Sequence, residues 1–182
     1  EMFYRTAQCV QSTVASANED CLDEVFTVYK RGGFTVTATH CDNEFRKSMD
    51  PFSAKQEPTI KMNYAAAQEH VPRAERNNRV IKERVRAAYH RFPYTHLPRI
   101  LVKYLVMEST KKLNFFPNKN GVSKYFSPRM ILHQENLDYD RHCTYQLGEY
   151  IQAHNEPDKT NTNAPRTLDC IYLRPMDNDQ GG

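Results

Sequence analysis

The chain has 182 residues, 39% of them hydrophobic, and a formal net charge of +3. This is enough apolar material for one ordinary domain with a small appendage, which excludes a peptide too small to fold. No run of about 18 apolar residues occurs, and the first residues lack the basic, apolar, small-residue order of a secretory signal, so the sequence reads as a soluble intracellular protein.

Taken in chain order, residues 3–10 (FYRTAQCV) predict a strand. SANE, Ser16 to Glu19, has the capping-box form, and the helix expected after it carries Leu22, Val25, Phe26 and Tyr29 on one face. Gly32 and Gly33 supply its left-handed end. FTVTATH, 34–40, alternates with β-branched residues and predicts a strand buried on at least one side. A polar, Pro-containing connection leads to a further short strand, TIKMNY, at 59–64. Pro72 suits the first turn of the next helix, where its missing N–H would be unpaired in any case. At 100° per residue, Ala74, Ile81, Val85 and Phe92 form a core stripe, and Glu75, Arg79, Lys82 and Arg86 form a second stripe well away from it. A helix from about Pro98 to Phe116 is apolar over much of its surface and is expected to pack in the interior. Two late strands, within GEYIQAH and LDCIYLR, flank the polar segment 155–166.

The five cysteines, Cys9, Cys21, Cys41, Cys143 and Cys170, are widely spaced, odd in number and free of any C-x-x-C. They are expected to be reduced, mostly buried thiols rather than a disulfide framework or zinc knuckle. Tyr125 and Phe126 are expected to pack rather than stack on bases. His90 and His96 read as structural, and no serine or cysteine nucleophile system is indicated.

Charge is unevenly distributed. From Arg73 to Lys112 eleven Lys/Arg face three acids, a net of +8, so the rest of the chain sums to −5. Such asymmetry points to a polyanion-binding face, although a solvated helix face gives the same pattern. Two acids stand out beside it. Asp42 follows the strand FTVTATH, and strand ends are where α/β sheets present functional side chains, though Asp-Asn is also ordinary turn chemistry. Glu75 heads the cationic row, where it can also serve the helix dipole or pair with Arg79. Together they are the parts needed to hold a divalent metal against a phosphodiester. His40, Cys41 and His70 lack metal-ligand spacing.

HCDNEF and EHVPRAERNNRVIKERVRAAYH resemble the segments around the second catalytic aspartate and the catalytic glutamate of copia-type retrotransposon integrases. The 32 residues between Asp42 and Glu75 approximate the family spacing. LNFFPNKNGVSKYFSPRMILHQ is similar to the segment that closes the family's core, and YQLGEYIQAH with LDCIYLRP to the small barrel-like strands after it. The resemblance implies an α/β, ribonuclease-H-like integrase core over 1–132, a mixed sheet flanked by helices, with a linker and small β-rich segment over 133–182. It implies metal-dependent DNA end processing and strand transfer, with Asp42 and Glu75 as catalytic and metal-binding residues. Mg²⁺ or Mn²⁺, two ions in the intact enzyme, would be the cofactor, and Arg76, Asn78, Arg79, Lys82 and Arg86 would contact DNA. Homo-oligomers, virus-like particles and the nucleus are the family's settings.

The family's first aspartate lies on a strand ahead of FYRTAQCV. Both chain ends read as cuts, so the sequence predicts that this aspartate is missing and that the chain alone is inactive. Asp20 and Asp23 fall in the capped helix and do not replace it. A non-enzymatic nucleic-acid-binding remnant, or a purely structural interaction domain, remains open beside the integrase reading.

Overall fold

The fold is a mixed α/β arrangement of helices and two small sheets, seen in a computed structural model that describes residues 1–10, 15–57, 59–66, 71–155, 163 and 165–175. Helix α1 spans Ala15–Arg31. Because it is already under way at Ala15, Ser16 lies inside its first turn and not at the N-cap that the capping-box form suggested. Its end follows expectation. Gly33 has φ +79°, the Phe34 N–H reaches the Tyr29 carbonyl at 2.9 Å, and the Gly33 N–H reaches that of Lys30 at 3.0 Å. These two bonds satisfy carbonyls that the last helical turn leaves open, and a Cβ at Gly33 would be strained.

Strand β1 (Ala38–Cys41) and strand β2 (Lys61–Tyr64) pair in parallel, Ala38 opposite Lys61 and Cys41 opposite Tyr64. Residues 34–37 stay outside the strand, although the Thr37 carbonyl accepts from the Lys61 N–H at 2.9 Å. Parallel strands need a long crossover. It is supplied by a 3₁₀ turn, Asn43–Phe45, and helix α2, Arg46–Lys55, where the sequence predicted only a connection. The helix was obscured by Pro51 in its interior and by an apolar face of only Met49 and Phe52, which it buries together with Ser48 and Ser53. Phe26 of α1 packs on Phe52 with ring centroids 5.1 Å apart, and the Ser53 hydroxyl donates to the Ile60 carbonyl at 2.7 Å. Burying side chains of this size stabilises by about 1.5–3 kcal/mol each.

Helices α3 (Pro72–Tyr89) and α4 (Arg99–Lys112) pack against each other. Pro72 stands at the start of α3 as expected. Its predicted core stripe is shallower than expected: Ile81 and Val85 are half-buried, Ala74 is exposed, and Phe92 lies beyond the helix end. Interior packing of α4 also holds only in part, since Leu105 is its one fully buried apolar residue and Ile100 is exposed. Helices α5 (Pro128–His133) and α6 (Tyr139–His142) follow. At α5, Ser127 caps by accepting from the Met130 N–H, Pro128 opens the helix, and Leu132 is fully buried.

The late strands β3 (Tyr150–His154) and β4 (Thr167–Ile171) form an antiparallel pair, Tyr150 opposite Ile171 and His154 opposite Thr167. Among the described residues this is a two-stranded sheet and no barrel forms, which corrects the barrel-like expectation. Gly148, at φ +85°, sits so close to Phe92 that a Cβ would lie 2.2 Å from its ring, which anchors the start of the pair to the connection after α3.

Residues 1–10 form no strand. Phe3 takes a left-handed φ of 56°, and the backbone of Arg5 pairs with a side chain instead of a neighbouring strand. The Arg5 N–H donates to Asn114 Oδ1 at 2.8 Å and its carbonyl accepts from Asn114 Nδ2 at 2.7 Å. The cysteines are free thiols, but Cys9 is exposed and the other four half-buried, contrary to the expectation of burial. Among the described residues no helix is long and apolar enough to cross a membrane.

Candidate nucleic-acid and metal cleft

Asp42 follows the last residue of β1 and holds the N-cap position of the 3₁₀ turn with extended dihedrals, φ −69° and ψ 151°. Its backbone carbonyl accepts from the Phe45 N–H at 3.1 Å, while its carboxylate makes no capping hydrogen bond. The turn is therefore closed by the main chain, and the side chain is not needed for it. Glu75 lies in the first turn of α3, its N–H bonded to the Val71 carbonyl at 3.0 Å.

The two acids, 33 positions apart in sequence, line one open cleft of about 570 Å³. Asn78, Arg79, Lys82 and Arg86 line it as well, following a single stripe along α3. Arg79 to Arg86 covers about 10 Å of helix axis at 1.5 Å per residue. Arg76, grouped with them in the sequence reading, is exposed on α3 but does not line the cleft. Glu83 does, and its carboxylate accepts from Arg79 Nε at 3.0 Å. That exposed i,i+4 pair holds the guanidinium along the helix while contributing little to stability.

Helix α3 is held from the opposite end of the chain. Arg5 Nε donates to Asn77 Oδ1 at 2.6 Å, and burial lowers the Arg5 pKa from its ordinary value. Asn77 is one position from Asn78 and points to a different neighbour, which is how adjacent asparagines on a helix divide anchoring from cleft lining.

On the sheet side the sequence reading missed a cluster. Tyr64, opposite Cys41 in the ladder, donates its hydroxyl to Asp50 of α2, and the Arg46 guanidinium lies 4.6 Å from the Tyr64 ring centroid. Burial, followed by the Asp50 hydrogen bond and charge, pushes the Tyr64 pKa up to about 12. Burial, then the charges of Asp42 and Asp50, raises that of Cys41. Asp42 and Asp50 thus both act on the Cys41 thiol. The only sequence signal for the cluster was a helical reading of 46–55, which Pro51 concealed.

No family model, curated protein or solved structure matches this chain. Its chemistry therefore has to be read from the cleft. Among the described residues no group of three His, Cys, Asp or Glu is placed to hold one metal ion. His40 is engaged with Asn63 at 3.1 Å between Nδ1 and Nδ2, and His70 lies outside the described residues. Asp42 and Glu75 offer hard oxygen donors, which suit Mg²⁺: it is commonly held by one or two carboxylates, with water and substrate phosphate supplying the other ligands. The cations beside them provide the complementary charge for a phosphodiester.

Proposed function

We propose that this chain is the catalytic-core part of a copia-type retrotransposon integrase, acting on DNA through the cleft between the end of β1 and the start of α3. The observation that carries this reading is the meeting of Asp42 and Glu75 in one cleft with Arg79, Lys82 and Arg86. The mixed α/β content and the parallel pair β1–β2 support the reading, but the mixed sheet that the resemblance implies is not formed: among the described residues the strands make two separate two-stranded sheets, and Arg5 in the expected first strand bonds to Asn114 instead of to a neighbouring strand. On the same reading the intact protein assembles as a homo-oligomer and works from virus-like particle to nucleus.

The division of labour follows from the residues. Arg79, Lys82 and Arg86 bind the backbone of DNA and set its register along α3, because phosphate contacts position a duplex without reading its sequence. Asn78 can donate and accept hydrogen bonds beside them. Asp42 and Glu75 are the metal ligands, and Mg²⁺ or Mn²⁺ bound there would supply charge neutralisation for in-line attack at phosphorus. The family pattern uses a third acid with two ions, so binding is expected to outlive catalysis in this chain.

The test combines metal and DNA. Mn²⁺ should bind the chain weakly in a titration followed by electron paramagnetic resonance, and Asp42→Asn or Glu75→Gln should abolish that binding. In a DNA-joining assay with Mg²⁺ or Mn²⁺, negligible strand transfer is expected. Robust joining by the chain or by either variant would show that the catalytic acids are misassigned. Unaltered duplex binding by variants that no longer hold Mn²⁺ would support separate phosphate and metal roles.

A binding-only reading has its own support in the cationic stripe, which can grip phosphate without metal. Mn²⁺ binding that survives in both variants would favour it.

A further inference from the structure

Between Glu108 and Glu135 the sequence contains no acidic residue, yet it carries Lys111, Lys112, Lys119, Lys124 and Arg129. The loop joining α4 to α5 occupies the middle of this stretch, and it is tied at both ends. Phe115 and Ser127 are buried, and the Arg129 N–H donates to the Asn114 carbonyl at 3.0 Å, so the two ends of the loop meet. Within it the Gly121 N–H closes a turn on the Asn118 carbonyl at 2.9 Å. The Ser123 hydroxyl accepts from the N–H groups of Tyr125 and Phe126 at 3.1 and 2.9 Å.

The pinned loop holds aromatic rings out in water. Tyr125 is 86% exposed, Phe116 59% and Phe126 56%, the reverse of the packing role their sequence suggested. Lys119 and Lys124 are exposed too, and neither forms an ion pair among the described residues. Tyr125 and Phe126 are sequence neighbours and the loop ends meet next to Phe116, so one ordered loop carries all three exposed rings, as a contact surface requires. The charge along the segment selects the partner, since a basic segment repels cations and attracts a polyanion; Glu1, whose carbonyl accepts from the Val122 N–H of the loop, already has its carboxylate paired with Arg73 at 2.7 Å. Rings add a second requirement: their faces can stack only on bases that are free of a helical stack.

We propose that the α4–α5 loop is a stacking platform for single-stranded nucleic acid, with Tyr125, Phe126 and Phe116 taking base faces and Lys119 and Lys124 the phosphates. It uses none of the cleft residues and does not depend on the integrase reading.

The chain contains no tryptophan, so Tyr125→Trp introduces a single fluorescent reporter at the most exposed ring. Titration with oligo(dU) or oligo(U), which carry the same base, should quench its emission, and the stronger ligand identifies the sugar preferred. The double variant Tyr125→Ala/Phe126→Ala should bind the same oligonucleotide at least about tenfold more weakly, given about 1–3 kcal/mol per stacked base, and duplex DNA unchanged. Circular dichroism should show both variants folded, because the replaced rings are exposed. Unquenched emission at saturation, an unchanged oligonucleotide affinity in the double variant, or an equal loss for duplex would overturn the proposal. A change in solution mass with oligonucleotide binding intact would also overturn it, assigning the rings to contact between copies of the chain. Failure of the Asp42 and Glu75 tests leaves each of these outcomes readable.

Discussion

Helices α3 and α4 pack on each other and differ in almost everything else. α4 buries Leu105, Glu108, Ser109 and Thr110, whereas α3 buries no residue completely. The Glu108 carboxylate illustrates the contrast: one oxygen lies 3.3 Å from Lys112 Nζ, and the other is buried with no hydrogen-bond partner among the described residues. Arg79 and Glu83 form a pair of the same spacing on α3 with both side chains largely in water. The difference teaches where a binding surface can be carried. A helix that leans on its neighbour with only a half-buried stripe leaves most of its circumference for charge, and that is where the cleft residues lie.

The comparison breaks most directly in the packing. Leu105→Ala should lower stability by about 2–5 kcal/mol, the usual range for deleting a buried leucine, while Val85→Ala in the half-buried stripe of α3 should cost about 1 kcal/mol. Urea denaturation of both variants measures this. Equal losses would mean that α3 is anchored as deeply as α4.

A smaller change in stability, with a clear change in binding, is expected on the cationic side. Lys82→Gln with Arg86→Gln leaves the Arg79–Glu83 pair intact, so stability should move by less than about 0.5 kcal/mol. Duplex affinity should fall, and the slope of log K against log salt should become shallower by roughly 1.8, at about 0.9 for each phosphate no longer neutralised. A salt titration with an unchanged slope would remove the stripe from the DNA-binding face.

The smallest effect sharpens the sheet side of the cleft. The Tyr64 pKa is raised from 10 to about 12 by burial and by its bond to Asp50. The folded state therefore keeps this proton where the unfolded chain has lost it. The corresponding stability is complete below pH 10 and is lost as pH rises through about 12. Tyr64→Phe should flatten that alkaline decline, as measured by urea midpoints across the same range. A decline unaltered by the substitution would detach Tyr64 from the Asp50 cluster.

Much of the helical organisation was legible in advance. The Gly32-Gly33 stop of α1 and Pro72 at the head of α3 are local signals, and short-range sterics fix them whatever the chain does elsewhere. Strand and connection were harder. Residues 3–10 have strand-like composition, but a strand exists only where a neighbour completes its hydrogen bonds, and here Asn114 takes that place for Arg5. Helix α2 escaped because Pro51 argues against a helix locally, while the packing of Phe52 on Phe26 favours one at long range. Tyr125 and Phe126 failed for a related reason: composition favours burial of aromatic residues, but the hydroxyl of Ser123 fixes their backbone in a loop that holds them outside.

By itself, the sequence determined the types of group available to the cleft and their order along α3. At 3.6 residues per turn, Glu75, Arg79, Lys82 and Arg86 must share a stripe in any structure that keeps that helix. Tertiary structure decided what the stripe faces. Asp42 reaches the same cleft because the parallel pairing of β1 with β2 and the crossover through α2 set the end of one strand beside the start of α3. No local preference of either segment contains that arrangement, since it depends on loop closure and on the burial of Met49, Phe52 and Ile60, with Phe52 packed on the remote Phe26.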